Sequence, residues 1–203
     1  MWFYYSKLAN ITPQQYMTST PLKKFLYGLW EIFEVVFISL ITVLFIRAFL
    51  FQPFLVSGAS MEPSYSDGDY LVIDQISYRF GGDPERGHTI VFRFPGDASI
   101  FFIKRIVGLP GERVVGKNGL VTVYTSEDNK LILEEPYLAP NTKTPGSFDV
   151  QLGDDEFFVL GDNRSHSFDS RSWGPVKREY IIGVTRLKIF PLSHIQFSET
   201  PHY

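Results

Sequence analysis

The sequence predicts an all-β domain carried on one N-terminal helix. Two observations lead there. A single long apolar segment, Trp30 to Phe51, lies near the start of the 203 residues. Beyond Asp69 the chain becomes a series of short runs rich in Val, Ile, Phe and Tyr, punctuated by Gly, Asp and Pro. With no second long helix to pack against, helix and β domain form the simplest architecture.

Residues 1–29 mix aromatic and polar side chains and contain no uninterrupted apolar run able to span a bilayer. They are read as a short cytoplasmic arm. The uncharged heart of the next segment, Val35 to Ile46, makes only roughly 18 Å of helix. Extended over residues 30–51 it reaches roughly 33 Å, enough to cross hydrocarbon. Glu31 and Glu34 then lie near one end and Arg47 near the other, within reach of the interface. The segment is apolar all round, which argues against an amphipathic core helix. No small-x-small cleavage site follows it, which argues against a removed signal peptide. Lys7, Lys23 and Lys24 precede it, so the positive-inside bias places the N-terminus in the cytoplasm and residues 52–203 outside.

In that outer part, Tyr70 to Ile76, Thr89 to Phe94, Ile100 to Val107 and Tyr180 to Phe190 read as strands. Asp67-Gly68, Gly81-Gly82-Asp83-Pro84 and Pro95-Gly96-Asp97 read as turns. Shorter strands are expected between Glu112 and Leu160, with an exposed loop from Ala139 to Ser147.

Composition narrows the chemistry. A net charge of −3 disfavours a nucleic-acid partner. The absence of cysteine removes disulfides, thiol nucleophiles and cysteine-bound zinc. The histidines, His88, His166, His194 and His202, show no His-Glu-x-x-His spacing, and no metal or other cofactor is expected.

Three stretches stand out. In Phe54-Leu-Val-Ser-Gly-Ala-Ser-Met-Glu-Pro-Ser64, Gly58 and Pro63 frame Ser60 in a sharp turn. The stretch reads either as an ordinary Ser/Gly/Pro loop or as a turn presenting a nucleophile, and a serine nucleophile needs a base. A triad would draw on His166 or His88. No Gly-x-Ser-x-Gly elbow and no Ser-x-x-Lys signature occurs, which leaves a Ser-Lys pair as the other option. In Ile100-Phe-Phe-Ile-Lys-Arg-Ile-Val107, Lys104 shares a strand face with Phe102 and Ile106, where desolvation favours the neutral amine. The same residues also fit an exposed strand end. Arg105, always charged, faces the other way and suits a carboxylate partner. The polar stretch Gly161 to Gly174 carries Asp162, Arg164, Asp169 and Arg171 and reads as a solvated loop or as a charge-stapled one presenting Ser167.

Together these stretches resemble the type I signal peptidases, membrane-anchored serine proteases that remove signal peptides from exported proteins. The resemblance rests on Ser57-Gly-Ala-Ser-Met-Glu-Pro-Ser64, Gly68-Asp-Tyr-Leu-Val-Ile73, Lys104-Arg-Ile-Val-Gly-Leu-Pro-Gly-Glu112, and Gly161-Asp-Asn-Arg164 through Asp169-Ser-Arg171. It implies a catalytic core of coiled antiparallel β-sheets, with Ser60 as nucleophile, Lys104 as general base and Ser167 orienting the amine. It also implies ion pairs of Asp162 with Arg105 and Asp169 with Arg171, and an oxyanion-hole donor at the Ser60 N–H. The implied partners are preprotein signal peptides and the lipid bilayer. Some members carry a serine at the position of Gly58 that helps form the oxyanion hole. Here a second donor would come from another backbone N–H of the turn or from Ser57. Ser64 stands where threonine is usual. The other readings are a self-cleaving repressor-type Ser-Lys protease, which would carry a DNA-binding region in place of the apolar helix, and an inactive membrane-tethered binding protein.

Overall fold

The computed structural model describes residues 21–49, 51–79, 81–125, 129–190, 196–198 and 200–201. The first twenty residues of the expected arm, and His194 and His202, lie outside them. The chain divides into two units, one ending at Arg47 and the other beginning at Ala48.

Helix α1, Pro21–Phe49, makes up the described part of the first unit and ends two residues into the second. It starts nine residues ahead of the apolar segment read from the sequence. Proline suits a first helical position, where its missing N–H has no intrahelical acceptor. The 24 residues from Pro21 to Leu44 are long and apolar enough to cross a membrane. Apolar side chains are exposed on every face, from Leu22 and Phe25 to Val43 and Leu44. Within this apolar stretch, Thr42 Oγ1 donates back to the Ile38 carbonyl at 2.8 Å. It is therefore satisfied within the helix.

The second unit is antiparallel throughout its described pairings. Its strands are β1 (Phe51–Leu55), β2 (Tyr70–Asp74), β3 (Thr89–Phe94), β4 (Asp97–Gly108), β5 (Arg113–Lys117), β6 (Leu120–Tyr124), β7 (Lys130–Ile132), β8 (Phe148–Gln151), β9 (Glu156–Leu160), β10 (Val176–Lys177), β11 (Ile181–Phe190) and β12 (Gln196–Phe197). Short helices α2 (Ile76–Arg79) and α3 (Ser170–Trp173) interrupt them. The larger sheet has the order β1-β2-β11-β3-β4-β9-β10, with β12 also pairing with β11; the smaller is β7-β6-β5-β8.

The sequence patterns explain this layout. Thr89–Phe94 forms a strand as read, and Pro95-Gly96 turns it into β4, which runs three residues further back than expected, to Asp97. Phe51, assigned from the sequence to the end of the helix, instead opens strand β1. That strand contains Pro53, which has no N–H for a second neighbour, and β1 accordingly lies at a sheet edge. Register shifts along β11 let one strand follow both β2 and β3 as the sheet twists.

Three apolar clusters fill the domain. The one beneath the turn that carries Ser60 joins Val56, Met61, Tyr65, Leu71, Ile73 and Val91. Met61 is fully buried, so the residue next to Ser60 anchors the turn in the core.

Candidate active site

Ser60 leaves β1 through a turn whose backbone is fixed at several points. Val56 N–H donates to Asp69 O at 2.9 Å, and Gly68 N–H donates to Val56 O at 3.0 Å. Gly58 takes a φ of +90°, which favours glycine, and its N–H donates to Asp67 Oδ1 at 2.7 Å. Glu62 N–H closes the turn on Ala59 O at 3.3 Å. Ser60 is half-buried and lines a cleft of about 350 Å³ whose apolar lining includes Phe54, Val56, Phe101 and Ile103.

Strand β4 brings Lys104 to this turn from 44 positions along the chain. Its side chain is buried at 4% exposure, with Nζ 2.7 Å from Ser60 Oγ and 2.8 Å from the Ile103 carbonyl. The Phe102 ring lies 5.4 Å from the nitrogen. Burial pushes the Lys104 ammonium down to about 8, against the opposing pull of Asp169 and Asp162. An amine with that pKa is neutral in a useful fraction of molecules near neutral pH and can accept a proton.

Arg105, the next residue, turns to the opposite side. Its guanidinium forks Asp162 through Nε at 2.9 Å and Nη2 at 2.6 Å, and Nη1 donates to Gly87 O at 2.9 Å. Ser64 Oγ accepts from Nη2 at 3.3 Å, and Tyr137 stacks on the guanidinium at 4.0 Å. The hydroxyl kept at position 64 thus has a partner.

Asp169 organises the polar stretch after β9. It caps α3, accepts the Gly161 N–H at 3.0 Å, and is forked by Arg171 at 2.7 and 2.8 Å. Burial pushes its carboxyl up, but the bonds from Arg171 and Gly161 outweigh that and hold it below the usual range. Gly161 packs tightly against the Ser60 turn: a Cβ there would lie 2.5 Å from both Ser60 O and Ser167 Cβ. Ser167 is brought to this point, yet its buried Oγ has no partner at hydrogen-bond geometry, although it approaches the Asp169 carboxylate. Lys104 Nζ makes its bonds to Ser60 and Ile103 instead.

The histidines are placed elsewhere. His88 is buried against Tyr78, with Nδ1 2.9 Å from the phenol oxygen. His166 is exposed at the cleft, its Nδ1 3.3 Å from Asn163 Oδ1. Neither is hydrogen-bonded to Ser60, whose hydroxyl instead accepts from the Lys104 amine.

The family model for signal peptidase, peptidase S26, matches residues 29–190. The chain belongs to this family. A probable signal peptidase I-2 of Synechocystis is 38% identical over 166 residues, covering 77% of the chain and 71% of that protein. A signal peptidase I of Bacillus amyloliquefaciens is 37% identical over 173 residues, covering 80% and 86% respectively. A crystal structure of a signal peptidase I from Enterococcus faecalis V583 is 30% identical, with a TM-score of 0.43, covering half of this chain and 96% of its own. The chain is thus a serine endopeptidase of the signal peptidase I type.

Several contacts around this site escaped the sequence reading, among them the partners of Arg164, which was read only as one of the loop's charges. Asp67 looked like turn punctuation and holds the Gly58 N–H. Arg164, fully buried, donates from Nε to Gly161 O at 3.1 Å, is forked by Glu135, and reaches Thr144 Oγ1 at 2.5 Å. Asn163 was noted only as part of a motif, and it is hydrogen-bonded to Ala59 O and Ser60 O. Each carries an ordinary loop-residue type, and only its distant partner reveals its role.

Proposed function

We propose that this peptidase is anchored by α1 and cleaves signal peptides from preproteins, with Ser60 as nucleophile and Lys104 as general base. The observation that carries the reading is the buried Lys104 amine 2.7 Å from Ser60 Oγ at the floor of an apolar cleft. Neutral Lys104 accepts the Ser60 proton while still donating to Ile103 O. Ser60 Oγ bonds to the scissile carbonyl carbon, and the carbonyl pair moves onto oxygen, where the Ser60 N–H receives it. The Lys104 ammonium then gives its proton to the departing amine as the C–N bond breaks, leaving an acyl-enzyme. Water, deprotonated by Lys104, attacks the acyl carbon, and the proton returns to Ser60 Oγ. Ser167, packed on Gly161 beside Ser60 O, is the candidate to orient the amine when substrate closes the site. The ion pairs of Arg105 and Arg171 hold β4 and the Asp169 loop in register. The apolar walls suit the uncharged residues that precede a small-x-small cleavage site.

Incubation of the purified chain with a preprotein tests this. Ser60→Ala and Lys104→Ala each abolish processing, and the double variant is scarcely worse, because residues acting as a unit are non-additive. Substantial cleavage by Lys104→Ala refutes the pair. The anchor is read as crossing once, with Lys23 inside and the catalytic domain outside. A cysteine replacing exposed Lys143 should react with an impermeant thiol reagent on intact cells, and labelling only after lysis reverses the orientation.

A further inference from the structure

Two consecutive carbonyls of the Ser60 turn are held by one residue from a loop far along the chain. Asn163 N–H donates to Ser60 O at 3.0 Å, and Asn163 Nδ2 donates to Ala59 O at 3.1 Å across 104 positions of sequence. Ala59 O also accepts the local, longer bond from Glu62 N–H. A trans peptide unit is planar, so its C=O and its N–H point in opposite directions. Fixing the Ala59 oxygen therefore fixes the Ser60 N–H of the same unit. That N–H has no acceptor among the described residues. The Gly58 N–H, by contrast, is committed to Asp67.

The amide of Asn163 is itself oriented. With Nδ2 on Ala59 O, its Oδ1 faces His166 Nδ1 at 3.3 Å, which assigns the proton of that nitrogen to the bond. The backbone His166 N–H returns to Asn163 O at 3.0 Å. The side chain is thus held at both ends of its amide.

We infer that Asn163 is a positioning residue for the oxyanion: its side-chain amide sets the tilt of the Ala59–Ser60 peptide and so aims the Ser60 N–H at the charge that develops on the scissile carbonyl. Asn163 touches no reacting atom. The inference rests on the reading of Ser60 as nucleophile, and it assigns a role to a side chain that the dyad does not include. A donor held in place before reaction costs no reorganisation when the charge appears, which is where such donors gain their effect.

The test uses the full chain in detergent micelles, a fluorogenic peptide substrate, and two variants. Asn163→Asp keeps the size and the backbone bond to Ser60 O but removes the donor to Ala59; Asn163→Ala removes the side chain. In both, kcat should fall at least about tenfold, within the roughly 10²–10³ that outright loss of an oxyanion donor costs, with KM changed less than about twofold. A matched inhibitor pair separates positioning from damage. Ser60 Oγ adds to a peptide aldehyde to form a tetrahedral adduct, and the carbonyl π pair moves onto the oxygen and takes up the serine proton. The corresponding peptide alcohol forms no such bond. Aldehyde affinity should fall in step with kcat, while alcohol affinity stays at the wild-type value. The inference is overturned if kcat stays within about threefold of wild type. It is equally overturned if aldehyde and alcohol affinities fall together, or if both variants are unfolded. Cleavage by Ser60→Ala would remove the nucleophile reading and this inference with it. An inactive Ser60→Ala beside fast Asn163 variants removes the inference alone.

Discussion

Lys104 gives the most quantitative prediction, because one side chain ties rate and stability to the same pKa. Burial lowers that pKa from 10.5 to about 8. At pH 7 roughly a tenth of the molecules then carry a neutral amine, against only about 3 in 10⁴ for a lysine left at 10.5. Activity as kcat/KM should rise about tenfold per pH unit from roughly pH 6 to 7 and level off above about 8. Stability follows from the same gap. Between about 8 and 10.5 the unfolded chain binds a proton that the folded chain has released, so stability rises with pH across that window. Below about 8 both states are protonated and the full cost of the buried ammonium is felt. At 1.36 kcal/mol per pH unit that cost is roughly 3 kcal/mol, undiminished by solvent at 4% exposure. Lys104→Met should therefore be inactive yet more stable than the wild type at pH 7 by up to about 3 kcal/mol, with the advantage fading toward pH 10.5. Peptide cleavage across pH and denaturant unfolding of both proteins measure the two effects. A flat kcat/KM from mildly acidic to alkaline pH, with chemistry shown to limit, refutes the reasoning. So does a Lys104→Met variant that gains no stability at neutral pH.

Gly161→Ala should cost most of the activity, because its Cβ must displace either Ser60 O or Ser167; steady-state kinetics on the folded variant check this. Asp162→Ala leaves the Arg105 guanidinium buried and unpaired, and denaturant titration should register a loss of about 3–5 kcal/mol. Ser57→Ala should lower kcat by less than about tenfold, well short of the loss of an oxyanion donor, and a drop of roughly a hundredfold with KM unchanged would assign the Ser57 hydroxyl to the hole.

The sequence made some of this plain and concealed the rest for identifiable reasons. Strand β3 was legible because β-branched and aromatic residues run up to a Pro-Gly turn. Lys104 stood out as a lone amine set among Phe and Ile. The start of α1 was hidden because Lys23 and Lys24 look like a polar boundary, whereas a helix tolerates them where its ends reach polar surroundings. Strand β1 was hidden by hydrophobic continuity: Phe51 prolongs the apolar run of the helix, and only pairing with Asp74 makes it a strand. Asp67, Glu135 and Asn163 were illegible for another reason. Their side chains hydrogen-bond to residues 9, 29 and 104 positions away, and no local pattern encodes a partner at such separations.

The dispersal of the site along the chain also has a consequence in time. Ser60 and Lys104 are synthesised well before Gly161, Asp162 and Asn163, yet those later residues close on the turn and on Arg105. A nascent chain that has emitted both members of the pair still lacks the bonds that fix them. At synthesis rates of about 5–20 residues per second, roughly 60 further residues take several seconds to appear. Through that interval the turn at Ser60 and the Arg105 guanidinium lack the partners that hold them in the folded domain, so the geometry of the pair is set late in synthesis.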